Sequence, residues 1–331
     1  MKNVKANEID RTLRAEGVIL RTISPFGSKT VQKLTSPLSA AFFKLFSLKS
    51  MGCVKTKIAR PDGSTFKVLI FRGGRETGSV LGDTTIRENA RPRVGILWLH
   101  GGGYVLGAPE MVGMSFPKQL LKNEDCVVVA PEYTLSAKSP YPAALEDAYS
   151  TLLWMMENRE KLGIETGKFM VGGESAGGGL TCALTQYARD KGHDCFAFQM
   201  PLYPMIDDRP TETNVDNDAP VWDSAANRAA WSLYLEGLTV IPPYAAPARA
   251  TDLTGLPPAI SVVGDIEPFY AETKDYFARL EEAGVPAKLR VFPGCYHAFD
   301  MMAPYSKRAK EANAFLLDAY REYCEKYLYG E

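Results

Sequence analysis

Short apolar runs separated by helical patterns recur along most of this chain, and that alternation restricts its fold more than any other feature. Val94–Leu99 (VGILWL), Cys126–Ala130 (CVVVA), Phe169–Val171, Phe196–Met200, Ala259–Val263 (AISVV) and Lys288–Phe292 each read as a strand. Between the second and third runs lies Tyr141–Glu160, where Leu145, Ala148, Leu152 and Met155 share one helix face. Strands that are apolar throughout and alternate with helices form a mostly parallel sheet covered on both faces. Ahead of them, Lys55–Ala59 and Thr65–Phe71 alternate as strands do, with the turn Pro61-Asp62-Gly63 between. The pattern predicts an α/β fold in which an antiparallel hairpin feeds a parallel sheet.

Two segments depart from the alternation. Within residues 1–50, Leu34–Leu48 carries Leu38, Ala41, Phe42, Leu45 and Phe46 at helical spacing. This predicts an amphipathic helix whose apolar face packs on the body or closes over a site as a lid. From Met205 to Ala250 no clean strand occurs; Asp207, Asp208, Asp216, Asp218 and Asp223 crowd one part, and Trp222, Trp231, Tyr234 and Leu235 accompany a helical stretch. That segment reads as an insertion carrying helices above the sheet. The expected organisation is N-terminal helices in 1–50 and one α/β domain over 51–331, interrupted by an insertion at about 205–250.

Composition excludes several classes of function. Lys and Arg number 38 against 39 Asp and Glu, a net charge of −1. This balance argues against a nucleic-acid binder with a broad basic face and against a polybasic membrane anchor. No apolar run reaches the roughly 18 residues of a membrane span. The first ten residues are polar and of mixed charge, unlike a signal peptide. Cysteines at 53, 126, 182, 195, 295 and 324 form no CxxC pair and no zinc-site spacing with a nearby histidine. Together these features imply a reducing, cytoplasmic setting, with no metal, cofactor, nucleic acid or membrane partner.

The chemistry-bearing residues cluster after the strands. Gly173-Glu174-Ser175-Ala176-Gly177 follows a strand and precedes a helical pattern. A serine on so sharp a turn requires neighbours without bulk, which Gly173 and Gly177 supply, and the helix N-terminus beneath it favours developing negative charge. His100-Gly101-Gly102-Gly103-Tyr104 follows the strand VGILWL directly. Its glycines let backbone N–H groups of Gly101 and Gly102 converge on an oxyanion, joined by that of Ala176. A serine nucleophile needs a base, and the chain has three histidines. His100 belongs to the glycine turn and His193 to a polar loop; His297, just after the last strand, is at the carboxyl edge where α/β sheets place their functional loops. The carboxylate that orients it should follow another strand, and there Asp265 and Glu267 compete.

These motifs resemble those of the hormone-sensitive-lipase-like branch of the α/β-hydrolases, the bacterial family IV esterases, from about residue 55 to the end. HGGGY is similar to the family's oxyanion motif, and GESAGG to its GDSAGG nucleophile motif with Glu174 in place of Asp. Pro131-Glu-Tyr-Thr-Leu-Ser, Tyr141-Pro-Ala-Ala-Leu-Glu-Asp147 and Leu256-Pro257-Pro258 extend the likeness. Glu267-Pro268-Phe269 aligns with the family's Asp-Pro-Leu, so the resemblance implies Glu267 as the acid, with Asp265 as the alternative. It further implies a carboxylesterase acting on short- to medium-chain acyl esters through an acyl-enzyme. The N-terminal helices and the insertion would form a cap, with Tyr104, Phe42, Phe46, Trp222 and Trp231 as candidate pocket residues. Dimerisation through the last strand, near Lys288–Phe292, is also implied. Competing readings are an amidase with the same triad and a small-molecule-binding protein without turnover, the latter disfavoured because both Ser175 and His297 are present.

Overall fold

A computed structural model describes residues 4–23, 26–47, 52–74 and 91–330. Helices α1 (Arg14–Ile23) and α2 (Lys29–Ser47) precede a hairpin of β1 (Cys53–Ala59) and β2 (Thr65–Arg72). The remaining strands are β3 (Val94–Leu99), β4 (Cys126–Pro131), β5 (Phe169–Glu174), β6 (Phe196–Leu202), β7 (Ala259–Gly264) and β8 (Ala287–Phe292). Between them run α3 (Pro117–Asn123), α4 (Ala143–Glu157), α5 (Arg159–Leu162), α6 (Ala176–Asp190), α7 (Ser224–Tyr234) and α8 (Tyr270–Glu282), and α9 (Phe299–Met302) and α10 (Lys307–Tyr327) complete the chain. Every strand expected from the apolar runs is present.

The strands form one sheet in the order β1-β2-β4-β3-β5-β6-β7-β8. β1 and β2 pair antiparallel, as do β2 and β4, and the remaining neighbours are parallel. The chain winds outward from β3 to β4 and then back across to β5, so the direction of winding reverses between β3 and β5. Open α/β sheets place ligand sites outside the carboxyl ends of the strands at such a reversal. The register there pairs Leu99 with Gly173, so the loops that leave β3 and β5 emerge side by side.

Successive side chains of β3 feed opposite faces. Ile96 and Trp98 join a core layer with Leu120, Phe198, Leu316 and Tyr320. Leu97 and Leu99 join a layer with Leu145, Leu152, Leu180 and Leu184. α3 and α10 thus cover one face, and α4 and α6 the other. All six residues of β3, β4, β5 and β7 are buried, which explains why those strands read as continuous apolar runs. Among the described residues no strand lies between β6 and β7, and α7 is the longest element there.

α2 differs from the expectation. Among the described residues its apolar stripe is open to solvent: Leu34 and Leu38 are each 68% exposed and Phe42 is 51% exposed. Leu48 and the side chains of Leu45 and Phe46 lie outside the described residues. The buried positions are polar. Gln32 Nε2 donates to the carbonyls of Phe26 (2.7 Å) and Ala226 (3.0 Å), and Ser36 Oγ donates to the Val105 carbonyl at 2.6 Å. Hydrogen bonds to α7 and to the loop after β3 therefore help to orient this helix, beside the packing of Phe43 on the core. The arrangement predicts that Gln32→Ala costs about 1–3 kcal/mol, because it removes the two side-chain hydrogen bonds by which the buried Gln32 holds the Phe26 and Ala226 carbonyls. Leu38→Ser, at an exposed site, should stay within about 0.5 kcal/mol of the parent. Urea unfolding of the two variants measures both.

Candidate active site

Ser175 sits between the last residue of β5 and the first of α6, with φ +59° and ψ −119°. This left-handed conformation is costly for a serine, and the surroundings hold it. The Ser175 N–H donates to the Leu202 carbonyl at 2.9 Å, and its own carbonyl accepts from Gly179 (2.9 Å) and Met205 (3.0 Å). A Cβ on Gly173 would lie 2.5 Å from the Gly177 backbone, and one on Gly177 would run into the Leu99 carbonyl. The first turn of α6 therefore packs backbone to backbone on β3. Ala176 opens α6, so its N–H has no intrahelical acceptor.

His297 arrives from the loop after β8. Its Nε2 is 2.9 Å from Ser175 Oγ. Its Nδ1 is hydrogen-bonded to Glu267 Oε2. The second oxygen of Glu267 accepts from the Gly264 N–H at 3.0 Å, which ties the carboxylate to the end of β7. All three side chains are buried. Asp265 is turned elsewhere: its Oδ1 accepts from the Gly294 N–H at 2.7 Å and braces the loop that carries His297. Of the two competing acids, Glu267 is the one on the imidazole.

The other histidines are occupied differently. Burial lowers the His100 pKa to about 4, so its ring is neutral at physiological pH. The ring stacks on Tyr133 at 4.1 Å, its Nδ1 meets the Gly101 carbonyl at 2.8 Å, and Tyr133 donates to the His100 carbonyl. His100 thus shapes the glycine turn. His193 is half-buried, with Nε2 2.9 Å from the Tyr149 hydroxyl.

Within the glycine turn, Gly102 and Gly103 adopt φ +116° and +62°. The Gly101 amide lies near the Glu174 carboxyl and favours its ionised form. Glu174 is fully buried and accepts from Trp98 Nε1 at 2.6 Å. Burial nevertheless dominates and pushes its pKa from 4.5 to about 8.

The candidate pocket residues separate into groups. Trp222 lies against the glycine turn, 2.5 Å from where a Cβ on Gly103 would stand. Tyr104 stacks on Tyr234 at 3.9 Å, approaches Trp231 at 5.6 Å and donates to the Met205 carbonyl, which makes it a buried packing residue. Phe42 is on the exposed side of α2 and touches Phe43. Residues not anticipated from sequence also surround His297. Tyr203 and Phe269 meet its ring edge-to-face at 5.1 and 5.0 Å. The loop that carries Trp222 is closed by reciprocal hydrogen bonds between Asn217 and Ser224, and Asn217 Nδ2 reaches the Ile266 carbonyl beside Glu267. Its tip, Val221, is held at φ +75° while the Trp222 N–H bonds the Pro220 carbonyl, a strained γ-turn.

A family profile described as the α/β-hydrolase fold matches residues 96–301, a span that includes both glycine motifs and His297. The chain belongs to the hormone-sensitive-lipase-like, family IV branch of the α/β-hydrolases. It is 33% identical over 221 residues to esterase LipI of Mycobacterium tuberculosis (strain ATCC 25618 / H37Rv), covering 66% of this chain and 69% of that protein. It is 32% identical over 231 residues to an acetyl-hydrolase of Streptomyces hygroscopicus, covering 68% and 75%. Among solved structures it is similar to a bacterial heroin esterase, with a TM-score of 0.79, 29% identity and coverage of 96% and 98% of the two chains. This family IV protein is accordingly a carboxylic ester hydrolase. No helix among its described residues is long and apolar enough to cross a membrane.

The raised pKa of the buried Glu174 gives a test. Between pH 4.5 and about 8 the folded protein retains a proton on Glu174 that the unfolded chain has released. Stability from this group is therefore full below pH 4.5 and is lost as pH rises toward 8. Glu174→Gln preserves the neutral shape and removes this titration. Its Tm relative to the parent should rise steadily between pH 5 and pH 8; a difference independent of pH would show that Glu174 ionises normally.

Proposed function

We propose that this esterase hydrolyses small, uncharged carboxylic esters through an acyl-enzyme on Ser175. The observation that carries the reading is the continuous hydrogen-bonded chain from Ser175 Oγ through His297 to Glu267. Ser175 attacks the ester carbonyl as His297 Nε2 accepts its proton. Glu267 keeps the proton of the neutral ring on Nδ1 and stabilises the imidazolium that forms. His297 then protonates the departing alcohol, activates a water against the acyl-enzyme and returns the proton to Ser175.

The oxyanion is held in this scheme by the N–H groups of Gly102, Gly103 and Ala176. The consecutive positive φ values of Gly102 and Gly103 support their shared role, with the Gly101 N–H as the alternative donor. The N-terminus of α6 adds its dipole at the same point.

Residues of 1–50 and of about 205–250 act as a cap. Two hydrogen bonds between these segments support it: Gln32 to the Ala226 carbonyl, and the Val4 N–H to Asp218 at 2.6 Å. Trp222 against Gly103 narrows the approach to Ser175, which favours short acyl groups, in keeping with the name of the acetyl-hydrolase relative. Val221 and Trp222 are the cap residues assigned to the pocket wall.

Turnover of p-nitrophenyl esters from C2 to C12, measured alongside the corresponding anilides, tests the reading. Ser175→Ala should lower kcat on the order of a million-fold, and Glu267→Gln by about 10⁴-fold. Asp265→Asn should keep most activity, and kcat/KM should fall beyond short chains. Full activity in Ser175→Ala would overturn the scheme, and loss in Asp265→Asn with retention in Glu267→Gln would reassign the acid. Faster anilide than ester cleavage would make the enzyme an amidase.

A further inference from the structure

Asp300 is a buried acid beside the site that has no part in the chain from Ser175 to Glu267. It lies three residues after His297 in the single turn of α9 and is 4% exposed. The Tyr203 hydroxyl donates to its Oδ1 at 2.9 Å. The amides of Asp300 and Met301, at the start of α9, also favour its ionised form. Burial raises its pKa to about 6, still below neutrality.

A carboxylate so deeply buried is costly unless an opposite charge answers it. His297 is close enough to act on the Asp300 charge and favours its ionised form. The two are also linked by Tyr203, whose hydroxyl holds Asp300 while its ring rests edge-to-face on the imidazole. Tyr203 is kept in place by its N–H bond to the Val262 carbonyl and adopts φ +34° directly after β6. A strained backbone at this point is explained if its side chain must meet both partners.

We propose that Asp300 is a positioning residue for ester hydrolysis: held by Tyr203, its carboxylate supplies a second negative charge that stabilises the His297 imidazolium. This rests on the Ser175–His297–Glu267 reading given above. The proton passes from Ser175 Oγ to His297 Nε2 and on to the leaving alcohol, and Asp300 neither gains nor loses one. Glu267 fixes the tautomer through Nδ1, while Asp300 acts through space. The other groups facing this pair are Ser175, Tyr203, Phe269 and Glu174. Glu174 is mostly neutral at pH 7, so Glu267 and Asp300 carry the negative charge that the imidazolium meets.

The test is the pH dependence of kcat/KM for p-nitrophenyl acetate in the parent enzyme and in Asp300→Asn, Asp300→Glu and Tyr203→Phe. Asn keeps an acceptor for Tyr203 but removes the charge. An imidazolium that has lost a counter-charge releases its proton more readily, so the acid limb of Asp300→Asn should move to lower pH by about half a unit or more. Its plateau should fall about tenfold, from weaker support of the proton transfer. Asp300→Glu should restore the parent limb. Tyr203→Phe should give a smaller shift in the same direction and serves if Asp300→Asn fails to fold. An unmoved acid limb in folded variants, whatever their turnover, would reduce Asp300 to a packing role and overturn the inference. That outcome leaves the triad intact if Ser175→Ala is inactive; an active Ser175→Ala would instead remove the reading beneath it.

Discussion

The contact between the first turn of α6 and the end of β3 is the constraint from which the rest of the site follows. Gly177 lies so close to the Leu99 carbonyl that any side chain would separate the helix from the strand. That approach holds Ser175 in its left-handed turn and points the N-terminus of α6 at the glycine turn leaving β3. Because β3 and β5 are neighbours at the reversal of strand order, serine and glycine turn are adjacent without any further device. His297 and Glu267 come from the ends of β8 and β7 on the same edge. Four strand ends thus converge, and a rigid sheet sets the distances between their loops.

Burial gives the site its electrostatic character. His100 is kept neutral and serves as packing for the turn. Glu174 is pushed toward the neutral acid, while Asp300, with its pKa raised only to about 6, stays mostly ionised at neutral pH. In the proposed mechanism this is an advantage, because charge appears on the oxyanion and on the imidazolium in the same step. Fixed donors and fixed carboxylates then meet those charges without solvent rearrangement. The strained turn at Val221 lies on a loop tied to the segment of Glu267 through Asn217 and pressed against the glycine turn through Trp222.

Much of this was legible in the sequence, for identifiable reasons. Strands buried on both faces must be apolar throughout, so β3, β4, β5 and β7 stood out as runs. GxSxG and HGGG are legible because the glycines answer steric demands of the backbone, which leave no alternative residue. The orientation of α2 was not legible. Periodicity reveals which residues share a face but not which face is covered, and here hydrogen bonds from Gln32 and Ser36 help to decide it. Asp265 and Glu267, two residues apart after one strand, were equivalent in sequence until the family motif favoured Glu267; the bond from Asp265 to Gly294 separates them in space. Asp300 and Tyr203 carry no motif, although each directly follows a strand or the histidine loop at the carboxyl edge, and that position was the available signal.

The central claim is that Ser175 becomes acylated during turnover. Rapid acid quench of the enzyme with p-nitrophenyl acetate, followed by mass measurement of the intact chain and of its peptides, tests it most directly. The account predicts an added acetyl group on the peptide that carries Ser175, formed at least as fast as steady-state turnover and absent from Ser175→Ala. An enzyme that turns over fully with no acyl adduct at any quench time, or with the adduct on another residue, would contradict it.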